Sequence, residues 1–511
     1  MHDEHNQAEH RPNPLKVPTL IALGLLGLLV LLPLFIDIHH ETPVSDVVAE
    51  EQATSLEILE GDAKADETHH DIPAMWGLGT IPFVVLLLCI ALLPLIRSTA
   101  HWWEDNMNRL AVALAAGGST LIYYCIFGNG WHDAVLAVEH AIPGEYIPFI
   151  MLLFSLYVIS GGISITGDLR ATPMVNSMFL LVGTLIASFI GTTGASMLLI
   201  RPLLETNRDR KRVVHTVVFF IFLVSNIGGS LLPIGDPPLF LGYLRGVPFQ
   251  WTLGLWPEWL FTSALLLVIY FVWDTIAVRG ETKSDLRMDE LTKKPLRLRG
   301  WWNLALLGGV VLAVALLDPS KTIPGTDWSP FPFMRELVML GLAGLSLLIT
   351  PSGVREANRF NYHAIAEVAA LFVGIFVSMQ VPLSVLAANG AALGLENPTQ
   401  FYWLTGALSS FLDNAPTYLV FFETAGAMTP EATEGTITLT SGGFIREDLL
   451  VGISLGAVFM GANTYIGNGP NFMVKSIAEQ SGVRMPSFFG YFGRALLILV
   501  PVFIIVNLLF V

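Results

Sequence analysis

The sequence predicts an all-α integral membrane protein with eleven transmembrane helices and two re-entrant hairpins that enter the bilayer from opposite sides. Hydrophobic residues make up 53% of the 511 residues and charged residues only 14%, whereas a soluble domain has about 25% charged residues. The apolar residues form runs of about 20 residues, the length that an α-helix needs to span a bilayer. The basic residues recur in alternate loops, as expected when cytoplasmic loops retain Lys and Arg.

The predicted spans follow from the positions of the apolar runs. They lie at residues 17–36, 76–96, 108–127, 146–166, 213–234, 252–278, 301–317, 335–350, 362–387, 449–474 and 486–510. The first run follows a polar tail (1–16) and has no clear small-x-small cleavage site, which favours a retained helix (17–37) over a removed signal peptide. The acidic loop after it (38–75) carries much of the net charge of −15, so this charge does not indicate a cationic partner.

Two further apolar stretches, residues 173–204 and 398–428, are predicted to be hairpins because of the charges around them. A cytoplasmic N-terminus in a bacterial inner membrane places the loop with Asp168 and Arg170 and the basic loop 205–212 on the same side. Stretch 173–204 must then enter and leave on that side. The same reasoning makes stretch 398–428 enter from the periplasm and leaves the C-terminus periplasmic. The basic loops are topology signals, so no nucleic-acid partner is expected.

The hairpins and the spans after them are predicted to form an inverted repeat, as in many secondary transporters. The domains are a first repeat (76–278) with hairpin 173–204 and broken helix 213–238, a basic cytoplasmic linker (279–300), and a second repeat (301–511) with hairpin 398–428 and broken helix 449–474. Each hairpin has a polar tip, and each broken helix is interrupted by Gly, Asn and Pro. One such break alone could be a kink without a ligand, but four paired breaks favour a shared cavity.

Polar side chains at these four breaks are the candidate binding residues, because backbone that leaves a helix within the membrane must line a wet cavity or be buried in protein. The candidates are Thr192, Thr193, Ser225, Asn226, Asp236, Asp413, Asn414, Thr417, Asn463 and Thr464. Asp413 is the strongest of these candidates. Placing an ionisable side chain at membrane depth costs at least about 2.5–3.5 kcal/mol, so such a residue is a functional candidate by default. For Asp236, a simple turn that faces the outside is the alternative. Hard cations favour oxygen ligands, and the predicted sodium ligands are Asp413, Asn414, Asn226 and Asn463.

Two strings at these breaks resemble the ion transporter superfamily, and within it the NhaD-type sodium/proton antiporters and their arsenite-permease and citrate-transporter relatives. The strings are Ser225–Gly229 continuing to Pro233–Pro238, and Leu412–Thr417, and the resemblance covers roughly residues 75–510. It implies eleven spans, two oppositely inserted hairpins, a homodimer through a scaffold domain and an elevator-like movement of the hairpin domain. It also implies ion-pathway roles for Asn226, Asp236, Asp413, Asn414 and Asn463.

One departure from these relatives bears on the substrate. Members that carry dicarboxylates have a Ser-Asn-Thr triplet at the hairpin tips, where this chain has Gly191–Gly194 and Asp413–Pro416. An acid at the tip should repel a di- or tricarboxylate and attract a cation.

The predicted function is therefore sodium (or lithium)/proton antiport by alternating access of a midplane site, without a cofactor. In this hypothesis Asp413 binds either sodium or a proton. The expected partners are sodium or lithium, the proton, the lipid bilayer and a second copy of the chain. Two alternatives stay open: a sodium- or proton-coupled carrier of organic anions such as citrate or dicarboxylates, and a membrane enzyme or receptor. For the latter, the sequence offers no nucleophile–base pair, metal cluster or nucleotide loop.

Overall fold

The computed structural model describes residues 75–281, 294–322 and 328–511. The predicted polar tail, the first span at 17–36 and almost all of the acidic loop lie outside the described residues, as does most of the linker at 279–300. The described residues are mostly α-helical.

The first half of the described chain is built from helices joined by short connections. Its elements are α1 (Trp76–Leu92), α2 (Arg97–Trp103), α3 (Asn106–Phe127), α4 (Trp131–Glu139), a π-helix (His140–Tyr146), α5 (Ile147–Ser160), β1 (Ser164–Asp168), α6 (Pro173–Ile190), α7 (Thr192–Thr206), α8 (Val214–Leu223), a 3₁₀-helix (Ile227–Leu231), α9 (Pro237–Leu244), a 3₁₀-helix (Trp251–Leu255) and α10 (Trp256–Arg279).

The second half has a similar succession of helices. Its elements are β2 (Lys294–Arg299), α11 (Asn303–Leu316), α12 (Met334–Ile349), α13 (Ser352–Ala357), α14 (His363–Ser378), α15 (Gln380–Asn389), a 3₁₀-helix (Gly390–Leu393), α16 (Pro398–Ser409), α17 (Asn414–Ala427), β3 (Thr436–Thr438), β4 (Phe444–Arg446), α18 (Glu447–Met460), a 3₁₀-helix (Gly461–Asn463), α19 (Gly469–Gln480) and α20 (Phe488–Phe510).

Six helical segments in the described part of the chain are long and apolar enough to cross a membrane. They are Asn106–Phe127, Trp131–Ser160, Pro173–Ile190, Val214–Leu231, Trp251–Arg279 and Phe488–Phe510. In α20, Leu497 and Leu508 are 76% and 75% exposed, and apolar surface of this kind is stabilised when lipid rather than water covers it. The prediction of a mostly helical protein with several membrane-spanning helices is confirmed.

The predicted span at 362–387 is not one straight helix. It consists of α14 and α15, which meet at an angle of 44°. Pro382 has no N–H to donate to the carbonyl of Ser378, the last residue of α14, and such a missing hydrogen bond kinks or ends a helix. If this bent pair counts as one span, the described residues hold up to seven candidate spans.

The first predicted hairpin forms two helices, α6 and α7, that turn at a single residue. Gly191 has φ 76° and ψ 150°, a backbone region that is essentially restricted to glycine. At the open end, the side chains of Asn176 and Asn207 exchange hydrogen bonds of 2.9 and 2.8 Å, so the two ends of the stretch lie together. The tip is shorter than predicted, because Thr192 already begins α7.

The second predicted hairpin also contains two helices, α16 and α17, which pack against each other. A capping box between Asn397 and Gln400 starts α16. Asp413 caps α17, since its side chain accepts a hydrogen bond of 3.1 Å from the N–H of Ala415. The chain between the two helices, residues 410–413, forms the tip.

Two short antiparallel sheets lie outside the helices. β1 pairs with β2, with Ser164 opposite Arg299 and Asp168 opposite Lys294, and β3 pairs with β4. Asp168, expected in a loop, therefore lies in a strand. Because β1 precedes the first hairpin and β2 follows α10, the chain returns to the same face of the protein between these two strands.

The two broken helices lie in the middle of the core. In α8, Phe219 and Phe222 are completely buried, and in α18 Ile453, Leu455 and Phe459 are completely buried. The ends at which these helices are interrupted therefore lie deep inside the protein, next to the hairpin tips.

Candidate functional site

Both broken helices are interrupted in the same way, by two glycines whose backbones touch. A Cβ on Gly235 would collide with the carbonyl oxygen of Gly229, and a Cβ on Gly467 would lie 2.6 Å from the carbonyl oxygen of Gly461. Only glycine allows backbones to approach this closely. The next residue in the chain is Asp236 in the first break and an asparagine at position 468 in the second.

Asp236 lies at the centre of the site and is 1% exposed. Its carboxylate accepts hydrogen bonds from the hydroxyl of Thr192 (2.9 Å), the amide of Asn468 (3.0 Å) and the amide of Asn414 (2.6 Å). These donors belong to the first hairpin, the second break and the second hairpin, respectively. One carboxylate thus joins all four elements that were predicted to meet, and each of these three side-chain donors is neutral.

A chain of side-chain amides continues from this carboxylate. The amide of Asn468 also donates to the side-chain oxygen of Asn226 at 3.2 Å, and the amide of Asn226 donates to Asn471 at 2.7 Å. The amide of Asn471 then donates to the carbonyls of Gly461 and Thr464, both at 2.9 Å. These carbonyls lie where the second helix is broken, so side chains satisfy backbone groups that lipid could not.

Hydroxyl groups hold each hairpin against its own broken helix. Ser188 donates to the carbonyl of Gly228 at 2.6 Å, and the hydroxyls of Ser196 and Ser225 lie 2.9 Å apart. In the second half, the hydroxyl of Thr464 donates to the carbonyl of Ser410 at 2.5 Å. The tips and the breaks are therefore fixed to each other in both halves.

Four helices begin at this site. They are α7 at Thr192, α9 at Pro237, α17 at Asn414 and α19 at Gly469. The unpaired N–H groups at a helix N-terminus carry a partial positive charge, which stabilises the acids at positions 236 and 413. Asp413 is the chain neighbour of Asn414, whose amide donates to Asp236, so the second acid lies close to the site.

Two buried oxygens at the site have no hydrogen-bond donor in the described part of the chain: the side-chain oxygens of Asn414 and Asn463. The amide group of Asn414 faces the carboxylate of Asp236, which fixes which end carries the oxygen. The amide group of Asn463 donates to the hydroxyl of Ser410 at 2.9 Å, and that hydroxyl donates to the carbonyl of Gly406 at 2.7 Å. An unpaired buried acceptor costs about 1–3 kcal/mol, so both oxygens are suited to a bound cation or donor.

The structure places the predicted residues unequally. Thr192, Ser225, Asn226, Asp236, Asn414, Asn463 and Thr464 all belong to the hydrogen-bonded site. The hydroxyl of Thr417 donates to the carbonyl of Asp413 at 3.0 Å, within its own helix. Thr193 is half-buried and forms no hydrogen bond with a site residue among the described residues. Asp413 is half-buried at the tip, and Asp236 rather than Asp413 is the acid that the other elements contact.

Sequence reasoning missed Asn468, Asn471, Ser188, Ser196 and Ser410. One signal could have found Asn468: Gly467-Asn468, with Pro470 two residues later, repeats the pattern of Gly235-Asp236, with Pro238 two residues later. The serines gave no signal, because isolated serines in apolar helices are common where no ligand binds.

A known family covers this whole arrangement. The family model described as "Putative citrate transport" matches residues 70–511, a range that includes both hairpins and both broken helices. The chain belongs to this family. The citrate-transport family is part of the ion transporter superfamily, so the superfamily resemblance of the two strings is confirmed. This citrate-transport family protein has no match among the curated proteins. Family membership and the apolar helices together make it a multi-pass membrane protein of a transporter family.

Proposed function

We infer that this citrate-transport family protein is a secondary transporter that exchanges sodium or lithium for protons across the bacterial inner membrane. The observation that carries this inference is the composition of the site. It contains two acids and two unpaired amide oxygens, and only neutral side chains donate to its buried carboxylate. Such a set of oxygens suits a hard cation, whereas a citrate anion would meet two like charges.

The two acids would have different roles. The carboxylate of Asp236 is surrounded by three side-chain donors, so we assign it a fixed negative charge that balances the cation. The carboxylate of Asp413 accepts a hydrogen bond from the N–H of Ala415 and is only half-buried. Asp413 is therefore the acid that could hold either sodium or a proton, and competition between the two would couple their movements.

Sodium would be held by oxygens of the second hairpin and the second break. Asn414 and Asn463 would offer the side-chain oxygens that have no donor, and Asp413 would add a carboxylate oxygen. Asn226, predicted as a ligand, has an oxygen that already accepts from Asn468 at 3.2 Å and could only add its second lone pair. Carbonyls freed at the breaks would complete the shell.

The proposed topology keeps the eleven spans and the two re-entrant hairpins of the inverted repeat. Two observations support it for the first hairpin. Its ends are joined by the amide pair of Asn176 and Asn207, and β1 and β2 pair on one face of the protein. If the broken helix 213–238 and α10 each cross once, stretch 173–204 must begin and end on the same face. The cytoplasmic N-terminus, the periplasmic C-terminus, the homodimer and the elevator-like movement are proposed with it, on the superfamily resemblance.

A second candidate is a sodium- or proton-coupled carrier of citrate or another organic anion. The family description favours it directly, and the four helix N-termini at the site could hold a carboxylate. In that case a bound sodium would first have to screen the charge of Asp413.

One experiment separates the two candidates. Inverted membrane vesicles energised by respiration would receive sodium, lithium or potassium while a dye reports the pH gradient, and proteoliposomes would be tested for uptake of labelled citrate. Antiport predicts that sodium or lithium collapses the gradient and that Asp413→Asn abolishes this response. Asp209→Asn, a change in the loop after the first hairpin, should respond like the wild type. No response to any of the cations, together with sodium-stimulated citrate uptake, would replace antiport with the second candidate.

A further inference from the structure

A cavity of about 400 Å³ lies away from the transport site, between β2, the start of α11 and α13. Its walls are formed by Leu298, Arg299, Gly300, Trp301, Trp302, Pro351, Gly353 and Val354. Arg299 is the only charged residue among these lining residues. The cavity is thus an apolar space with one cation at its edge.

The guanidinium of Arg299 has no protein partner among the residues that the structure describes. Arg299 is exposed and forms no ion pair or side-chain hydrogen bond with another described residue. A guanidinium group that is not paired with a carboxylate is well suited to a phosphate group, because two of its N–H groups can donate parallel hydrogen bonds to the phosphate oxygens.

A second arginine adds positive charge behind the same wall. Arg355 follows Val354 and is 7% exposed, and its guanidinium donates only to neutral groups, the carbonyl of Val158 at 2.7 Å and the hydroxyl of Ser346 at 2.9 Å. Burial lowers the pKa of Arg355 to about 10, so the side chain remains charged at neutral pH. Two cations without a carboxylate partner therefore make this corner of the protein attractive to an anion.

In the proposed topology, the cavity lies at the depth of lipid headgroups. Trp301 and Trp302 immediately precede α11, the helix of the predicted span at 301–317, and tryptophans collect at the boundary between headgroups and acyl chains. Trp301 is 61% exposed and Leu298 48% exposed, so the apolar rim is open to the surroundings of the protein. The basic segment 294–299 marks the proposed cytoplasmic side, where the leaflet carries anionic lipids.

We propose that this cavity binds the phosphate headgroup of an anionic phospholipid, with Arg299 contacting the phosphate and the acyl chains lying against Trp301 and Leu298. Arg355 acts through its charge and does not contact the lipid. The site does not depend on which ion or anion the protein transports.

Gly353 provides a variant that tests the cavity itself. A Cβ on Gly353 would meet no atom within 4 Å, so Gly353→Leu should fill the cavity without disturbing the fold. Gly341 in α12 is also free of neighbours within 4 Å and does not line the cavity, so Gly341→Leu is the matched control. Likewise, Arg299→Gln removes the phosphate contact, and Arg297→Gln removes the same charge two residues away at an exposed position outside the cavity.

The test uses the purified full chain in detergent and native mass spectrometry with three probes: phosphatidylglycerol, phosphatidylcholine with the same acyl chains, and inorganic phosphate. The wild type should bind phosphatidylglycerol in preference to phosphatidylcholine. Arg299→Gln should weaken this binding by roughly tenfold, as expected for a lost charge-assisted hydrogen bond. Gly353→Leu should weaken it by about as much because the leucine side chain occupies the space of the lipid, and the two control variants should weaken it less than twofold.

Three results would overturn the proposal. Equal binding of the two lipids would show that the phosphate charge is not recognised. Displacement of phosphatidylglycerol by inorganic phosphate at similar concentrations would show a site for a soluble anion. Conversion of a dimer into monomers by Gly353→Leu in the absence of lipid would show that this face contacts a second copy of the chain instead.

Discussion

Asn468 donates a hydrogen bond of 3.0 Å to the carboxylate of Asp236, although the two residues are 232 positions apart. Each residue follows a glycine that touches an earlier glycine, Gly235 in one break and Gly467 in the other, so the two side chains occupy equivalent places. An acid in one half of the chain is thereby paired with an amide in the other half. The arrangement places one negative charge, rather than two, where the two breaks meet.

The pair of Asp236 and Asn468 can be tested by exchange. Asn468→Asp alone would bring two carboxylates together in a buried site, where like charges oppose ionisation, so thermal unfolding in detergent should occur at a lower temperature. The double variant Asp236→Asn with Asn468→Asp restores one donor and one acceptor. It should recover part of the lost stability, because directly contacting residues show coupled effects. A double variant less stable than Asn468→Asp would contradict the pairing.

The glycine contacts should tolerate no added methyl group. Gly235→Ala and Gly467→Ala would push a Cβ against the carbonyls of Gly229 and Gly461, so we expect each variant to lose at least tenfold in transport rate or to fail to accumulate in the membrane. Gly118→Ala in α3 is the control, because a Cβ there meets no atom within 4 Å. Wild-type transport by Gly467→Ala in proteoliposomes would show that the backbones at positions 461 and 467 can move apart without loss of function, which would contradict this prediction.

The base of the first hairpin should depend on a buried ion pair. Asp274 is completely buried and lies 2.6 Å from Arg210 and 2.8 Å from His215, and it accepts a hydrogen bond of 3.2 Å from Asn176. Asp274→Asn leaves Arg210 buried without its carboxylate, which typically costs about 3–5 kcal/mol of unfolding free energy.

The exposed pair of Arg208 and Glu205, 3.0 Å apart, provides the comparison for that variant. Glu205→Gln should change the unfolding free energy by less than about 1 kcal/mol, since surface ion pairs contribute little. Both variants can be compared by denaturant titration of the purified protein. Equal effects of the two changes would mean that the buried network does not hold the hairpin.

Asn414 and Thr193 distinguish the site predicted from sequence from the site that the structure supports. Asn414→Ala removes the amide N–H that donates to Asp236 and the side-chain oxygen that accepts no hydrogen bond. Because this oxygen is a proposed sodium ligand, we expect the sodium concentration for half-maximal exchange to rise at least tenfold. Thr193→Ala should keep this sodium concentration within twofold of the wild-type value, since Thr193 has no hydrogen bond to the site among the described residues.

Sodium titrations of dye-loaded vesicles measure this concentration for both variants. A tenfold increase in Thr193→Ala would support the prediction that Thr193 is a binding residue.

Much of the organisation could be predicted because the chain marks it locally. Glycine, proline and asparagine clusters in long apolar runs identified both tips and both breaks, and the membrane environment left a shared site as the favoured explanation. The turn at Gly191 lies at the first residue of the predicted tip, and only its shortness was not predicted. The bend before Pro382 follows from the same local chemistry, although the sequence was interpreted there as one straight span.

The inner arrangement of the site could not be predicted, because it depends on side-chain directions between distant segments. Asp413 drew attention as the acid at a tip, yet it caps its own helix at Ala415 and contacts its own turn. Asp236 was considered as a possible residue of a simple turn. It is the central acid of the site because donors from three separate segments of the chain contact its carboxylate. Asn468 was not predicted, although Asn463 in the same break was, because the sequence does not show which asparagine of that break faces Asp236. The pairing of β1 with β2 escaped notice because it joins two polar segments with no pattern in common.

The most direct test of the account is the release of protons when sodium binds to the purified protein. Sodium chloride would be added to the protein in weakly buffered detergent solution while the pH is recorded, with potassium chloride as the ionic control. We expect sodium to release protons from the wild type and from Asp209→Asn, but not from Asp413→Asn. Sodium binding without proton release, or equal release by potassium, would contradict the claim that one carboxylate at the hairpin tip holds the two ions in turn.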